Sequence, residues 1–470
     1  MDTKSPLGFM DSNSKEELGH FSSSNEVYLS PDKPVASKKE LFGWYGISWA
    51  VEPYSVVVSA VFLPLVLDSL AKQAGYQPDR ITPCDLEGAS ENCVVPFGPT
   101  WINTTSLPLY CSAISVILQA FVFVGLSSLA DHGVHVFFYA YLHTLTECHP
   151  EVMKASQEES EEHYRQVKER VSNTISGHCF AIGYGGALIM LVAGALIVFF
   201  CQQTTYSMLI ACGLSGIWWL VFTLVPWLWL RRRPGPPLPA GENYLFYSFK
   251  QVGSTFLQVR HLSNTFLFLL AWFFLSDGYS TIVSVSILFV KNNLKATNMQ
   301  LIAAAFIVPF SSIVGNYIFL FIQRRCRMST RNMIILIGIL YIALPVYGIL
   351  GFFTPIGLRH IPEIYAVAVY HGLMFGAVQS FCRVLFCELL PPGHENEFFG
   401  LYEITDKGSS WIGPLVSAAI SDLTGELRHA FYFLLAMLVI PVFILFFIDV
   451  EKGKQEAQAF STRQKNRGQR

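Results

Sequence analysis

Two carboxylates stand inside long apolar stretches, each with hydroxyls at helical spacing. Glu52 has Ser48, Ser55 and Ser59 at −4, +3 and +7, and Asp277 has Ser280, Thr281 and Ser284 at +3, +4 and +7. Those offsets return to one face of an α-helix. An ionisable group in hydrocarbon costs about 2.5–3.5 kcal/mol on insertion scales, so each one needs a reason. An acid beside a hydroxyl stripe suits a wet cavity, where it binds a substrate ammonium or accepts a proton. The alternative is structural: each acid pairs with a neighbouring cation and holds helices together. Tyr54 and Tyr279, each two residues after an acid, join the candidate set. Pro53 and Gly278 directly follow the acids and are expected to loosen the helix there, freeing backbone carbonyls.

A second group lies further on. Arg383 sits deep in an apolar run and has the planar donor fork that takes a carboxylate bidentately. Glu403, Asp406 and Lys407 share the run after it, and Glu403 and Lys407 are four apart and can pair. The competing reading is that these charges snorkel to the membrane interface. Gly408, Ser409 and Ser410 follow, small residues that let helices approach closely, and Gly183, Gly185 and Gly186 are read as packing residues. The histidines are dispersed and mostly in loops, where solvated residues are the simpler reading. No HExxH, GxSxG or P-loop occurs in a fitting context. The ten cysteines form no CxxC pair, so neither a metal nor a cofactor is expected and the chain is not read as an enzyme.

The elements that position these residues follow from composition. Of 470 residues, 52% are hydrophobic and only 14% charged, against about 25% charge in soluble domains. The net charge is −2, so no basic excess exists for nucleic acid. Runs of roughly 20 apolar residues, the length that crosses about 30 Å of hydrocarbon, recur along the chain. They are too long and continuous for barrel strands. The sequence therefore predicts an all-α polytopic membrane protein with ten strong spans, at about 43–70, 107–130, 179–201, 207–230, 265–290, 299–322, 333–354, 363–387, 398–421 and 429–449.

Charge bias places both termini in the cytosol, with Arg231–Arg233 and Arg324–Arg331 on the same side. Residues 1–40 read as a disordered cytosolic tail, 41–230 as an N-terminal helical half, 231–262 as a cytosolic linker, 263–450 as a C-terminal six-helix half, and 451–470 as a basic cytosolic tail, disordered from Arg463. Within the first half, 71–106 forms a lumenal loop. It carries Cys84 and Cys93, a candidate disulfide, and the sequon at Asn103, a candidate glycan site that also fits chance occurrence beside the next span. Residues 131–178 form a cytosolic segment in which Glu147–Arg170 reads as an amphipathic helix.

The two acids also align as a repeat. Glu52-Pro53-Tyr54-Ser55-Val56-Val57-Val58-Ser59 and Asp277-Gly278-Tyr279-Ser280-Thr281-Ile282-Val283-Ser284 share acid, Tyr, Ser, Val and Ser in register. Such repeats mark secondary transporters, whose halves rock about a midplane site. The second half has six spans and the first only four. One hairpin is short, and losing a hairpin leaves the orientation of later spans unchanged.

These residues resemble a family. Gly43-Trp44-Tyr45 leading to Glu52-Pro53-Tyr54-Ser55, then Ser276-Asp277-Gly278-Tyr279, and above all the run from Phe398-Phe399-Gly400 through Tyr402-Glu403-Ile404-Thr405-Asp406-Lys407 to Trp411-Ile412-Gly413-Pro414 are similar to the fungal autophagy-related vacuolar effluxers. The resemblance spans most of residues 41–450 and implies the major-facilitator fold, a pseudo-symmetric bundle of twelve helices. It implies a vacuolar membrane protein that exports leucine and other neutral amino acids from lumen to cytosol by alternating access after autophagic breakdown. Its expected partners are an amino-acid substrate, protons and the lipid bilayer. The chain departs from the pattern after Ser127-Ser128-Leu129-Ala130-Asp131-His132-Gly133, where the family's third helix and most of its fourth are absent. A facilitator for another small solute and a non-transporting factor in autophagic-body breakdown are the alternatives.

Overall fold

The computed structural model describes residues 35–84, 93–104 apart from 99, most of 107–122, 140–230 apart from 158–159 and 202–203, and 262–468 apart from 295, 393–394 and 425. The predicted N-terminal tail up to residue 34, the charged linker 231–261 and half of the span expected at 107–130, including 123–130, lie outside the described residues. Among the described residues, eight helices are long and apolar enough to cross a membrane.

The first crossing is one rod of 37 residues. It is built from α1 (Lys38–Pro53), a π-helical stretch over Tyr54–Phe62 and α2 (Leu63–Ala74). Ser37 caps its start by accepting from the Glu40 amide. The helix changes type at Pro53, as the missing amide proton of a proline requires the local ladder to adjust. The loop beyond α2 holds a two-stranded antiparallel pair, β1 (Val94–Phe97) and β2 (Thr100–Asn103), with Val94 opposite Asn103. Cys84 and Cys93 are joined by a disulfide at a Cα separation of 5.8 Å.

The segment 131–178 differs from expectation. Glu147–Arg170 is not one helix: α3 (Ala140–Glu147) and α4 (Pro150–Ala155) are short, and α5 starts at Glu161 and runs unbroken to Phe200. Pro150 begins a new helix at the first-turn position that tolerates proline. Residues 161–178 continue straight into the crossing because nothing between Ser160 and Phe200 breaks the ladder. α6 (Thr205–Trp229) completes the described first half.

The second half is α7 (Ser263–Asn293), α8 (Asn298–Cys326), α9 (Thr330–Leu350), α10 (Ile361–Glu388), α11 (Glu395–Ser409), α12 (Ile412–Thr424) and α13 (Ala430–Phe446). The predicted span 398–421 is thus two helices, separated at Ser410 and Trp411. The tail, expected to be disordered from Arg463, is helical as α14 over Val450–Gly468. Its Ala457, Phe460 and Ser461 are buried, and Ser461 donates to the Pro392 carbonyl. Those residues recur at helical spacing, and burying them pins the helix.

Backbones approach closely where small residues meet, the packing mode lipid favours. A Cβ on Gly315 of α8 would lie 2.0 Å from the Leu373 carbonyl oxygen of α10. α13 packs on α7 and α9, while α6, the last helix of the first half, packs on α1 and α5. Its outer face exposes Ile217, Leu220, Leu224 and Leu228. The seam between halves runs mainly from α5 to α8 and α10.

Candidate functional site

α7 is continuous through Asp277 and Gly278, so Gly278 does not loosen it. A Cβ at Gly278 would meet Leu438 of α13 at 3.0 Å, a packing position instead. The side chains that follow from the helical period are Ser276, Asp277, Tyr279 and Thr281, all buried. What faces them is the gap between α11 and α12. Asp277 Oδ1 accepts from the Gly413 amide and from the Thr281 hydroxyl, each at 3.2 Å. Gly413 is the second residue of α12, so its amide is one of those left without an intrahelical acceptor. The aligned dipoles of the thirteen-residue α12 favour a negative charge at that end. Only glycine fits: a Cβ at Gly413 would fall 1.7 Å from Thr281 Oγ1. Asp277 Oδ2 is buried and has no hydrogen-bond partner among the described residues.

The other side of the break is tied by Asp406. Its carboxylate accepts from Ser276, and its backbone carbonyl accepts from Ser409 at 3.2 Å and Ser410 at 2.9 Å. Two hydroxyls thus converge on one carbonyl in the last turn of α11, an alternative to backbone amides at the point where the helix breaks. Unwound backbone at this depth is stable only where protein or a cavity surrounds it.

Arg383, Glu403 and Asp406 are also buried. Arg383, Glu403 and Asp406 all lie within electrostatic reach of Tyr402, whose ring stacks on Trp272 at 5.1 Å. Arg383 reaches across the seam as well. Cys179 of α5 is buried, takes a hydrogen bond with Ser48, and interacts with both Glu52 and Arg383. One acid of the first half and one guanidinium of the second therefore both act electrostatically on this thiol. Gly183 permits this approach of α5 to α1, since a Cβ there would lie 2.6 Å from Glu52 Cγ.

The remaining candidates sit elsewhere. Tyr54 is exposed and packs its ring 5.4 Å from Trp219 of α6. Ser55 is exposed and hydrogen-bonds back to Val51. Ser280 is exposed and its carbonyl accepts from Ser284. Lys407 lies in α11, and its side chain is outside the described part. Asn103 ends β2 with its Oδ1 buried. Every hydrogen bond described for Asp277 stays within the second half.

Sequence reasoning missed His371. It is buried in α10, its Nδ1 is 2.5 Å from the Tyr341 hydroxyl, and Tyr341 packs against Tyr279 at 4.3 Å. Placing histidines in loops hid it; the cost of a polar ring inside a span would have found it. Among the described residues no cluster of His, Cys, Asp and Glu is arranged to hold a metal ion.

The comparisons agree with this architecture. The family model described as "Vacuole effluxer Atg22 like" matches residues 36–135 and 132–458, two pieces that meet where the sequence departs from its family pattern. The chain is similar to autophagy-related protein 22-1 of Aspergillus niger, 30% identical over 567 aligned positions that cover 93% of this chain and 92% of the relative. It is also 31% identical to autophagy-related protein 22 of Pyricularia oryzae, covering 95% of this chain and 81% of the relative. Among solved structures, the human organic anion transporter MFSD10 superposes with a TM-score of 0.52 at 13% identity, over 87% of this chain and 99% of that one. A bacterial homologue of the iron transporter ferroportin gives 0.50 at 11% identity, over 87% and 98%. The fold is that of major-facilitator transporters, a multi-pass helical bundle of the lipid bilayer, and the chain belongs to the Atg22-like vacuole effluxer family.

Proposed function

We propose that the chain is a vacuolar-membrane transporter that moves leucine and other neutral amino acids from lumen to cytosol after autophagic degradation, its halves rocking about the broken helix, with both termini in the cytosol. The observation that carries this reading is Asp277. A carboxylate buried in a membrane helix has one oxygen held by the α12 N-terminus and Thr281 and the other without a partner among the described residues. That oxygen suits a substrate ammonium or a proton. Arg383, buried in α10, supplies the complementary donor fork for a substrate carboxylate, and both it and Glu52 of the other half act electrostatically on Cys179. A zwitterion bound between such groups would draw the halves together, which is what alternating access needs. Glu403, Asp406 and Tyr402 shape the second-half wall. The test is counterflow of labelled leucine in vacuole vesicles, with a panel of other solutes run in parallel. Counterflow of a different solute alone would reassign the substrate.

A second reading rests on the gap. The alignment to the Aspergillus niger relative extends over 567 positions, whereas this chain has 470 residues in all. The absent stretch falls at the third and fourth helices, and the fourth lines the cavity in the family's fold. On that reading the protein is a membrane factor in autophagic-body breakdown that does not transport. It predicts that the Asp277→Asn chain still supports lysis of those bodies.

A further inference from the structure

One face of α5 carries Glu169, Asn173, Ser176 and Gly177, spaced so that they line up toward the second half. Each bonds across the seam. Glu169 Oε1 accepts from the Thr330 amide at 2.6 Å, from the Thr330 hydroxyl at 2.5 Å and from Gln323 at 3.4 Å. Asn173 donates to the Thr330 hydroxyl at 2.9 Å. Ser176 donates to the Ser380 carbonyl at 3.2 Å, and Asn316 donates to the Gly177 carbonyl at 2.9 Å. Thr330 is the first residue of α9, so Glu169 also meets the positive end of that helix dipole.

The opposite end of the same seam differs. Leu191, Leu196 and Phe199 of α5 and Ile302, Phe306 and Ile307 of α8 line an open apolar groove of about 490 Å³. The two helices are antiparallel, joined by polar contacts at one end and by apolar packing of Leu191 and Val198 around Ile302 at the other. Charge-assisted bonds are the strong members of such a set, and Glu169 is the only carboxylate in the row.

We propose that Glu169 is a latch: it locks the halves together at the end carrying α14, and transport requires its release from Thr330 so that this end can open. Asn173, Ser176 and Gly177 align the seam, while Glu169 sets the balance between closed and open states. The proposal rests on the alternating-access reading above. Its test reads closure without any substrate.

Cysteines placed at Thr174 and Arg324, whose side chains meet across this seam with Arg324 Nη2 donating to Thr174 Oγ1, report closure by cross-linking with a short bifunctional thiol reagent in the full-length protein in vesicles, with exposed Cys201 and Cys326 changed to Ser. Glu169→Gln should move the closed-to-open ratio by about fivefold or more, the lower range of coupling between conformational elements. Thr330→Val should act in the same direction and serves if Glu169→Gln inserts poorly. Glu162→Gln, exposed on the same helix, should leave the yield unchanged. Unaltered cross-linking in both latch variants overturns the proposal, and so does an equal loss in Glu162→Gln. Leucine counterflow measured on the parent with Glu169 intact separates the two claims. A parent without counterflow whose cross-linking still depends on Glu169 refutes the transport reading and leaves the latch. A parent with counterflow and latch-independent cross-linking refutes the latch alone.

Discussion

Asp277 is held by a backbone amide 136 positions away, and this pairing explains two sequence features together. The acid needs a partner in hydrocarbon, and Gly413 is glycine because its amide must reach that acid. Asp277→Asn keeps the shape and removes the charge. It should reduce leucine counterflow by tenfold or more, about the 1.4 kcal/mol or more expected of a charged contact, with membrane levels unchanged on a blot. Gly413→Ala places a methyl against Thr281 and Asp277. Overpacking of this kind costs about 1–3 kcal/mol, so the purified protein should unfold at a lower temperature in detergent. An unchanged melting point would mean that α12 does not dock on α7 as described. Both acids were legible from the sequence because charge in an apolar run is conspicuous. The partners were not, since a single sequence carries no signal for contacts between distant helices. His371 stands out less because a neutral imidazole in an apolar run disturbs hydropathy less than a formal charge does.

At the scale of elements, the long crossings follow from hydropathy, and their starts follow from caps. Ser37, Ser160, Thr204 and Thr297 each accept from an amide in the first turn. What hydropathy conceals is a break inside an apolar run. Residues 398–421 read as one span because Ser409, Ser410 and Trp411 hardly alter the average. The hydroxyl bonds to the Asp406 carbonyl lie in the last turn of α11. The same blindness applies to the tail, whose buried face is thinly spaced among charges. Pro53 was legible as a disturbance, and the structure gives it the form of a π-helix. The loop after α2 offers a pH test. The Thr82 hydroxyl, followed by the Ile81 and Thr82 amides, holds the Asp79 carboxyl below its usual range. A depressed folded value means that the turn's stabilisation is complete above the unfolded value of 3.8 and fades as pH falls through the folded one. The Ile81 and Thr82 amides should therefore be as protected from hydrogen exchange at pH 5 as at pH 7. Asp79→Asn should lower that protection at both.

For the whole molecule, the two-half plan was readable from the acid-led repeat and from unequal span counts. The family model matches in two pieces that overlap at residues 132–135, inside the stretch where the sequence predicts a short hairpin. How the halves meet was not readable, because α5 contributes its seam residues from a stretch that looks like a solvated amphipathic helix. Polar contacts close that seam near Glu169, and apolar packing of Leu191 and Val198 around Ile302 closes its other end beside an open groove at Phe199. The central claim is that this chain transports. The most direct measurement is counterflow of labelled leucine in vacuole vesicles from cells carrying this chain, cells lacking it, and cells carrying Asp277→Asn. Transport predicts counterflow with the chain and its loss in both other preparations. Equal counterflow with and without the chain would contradict it.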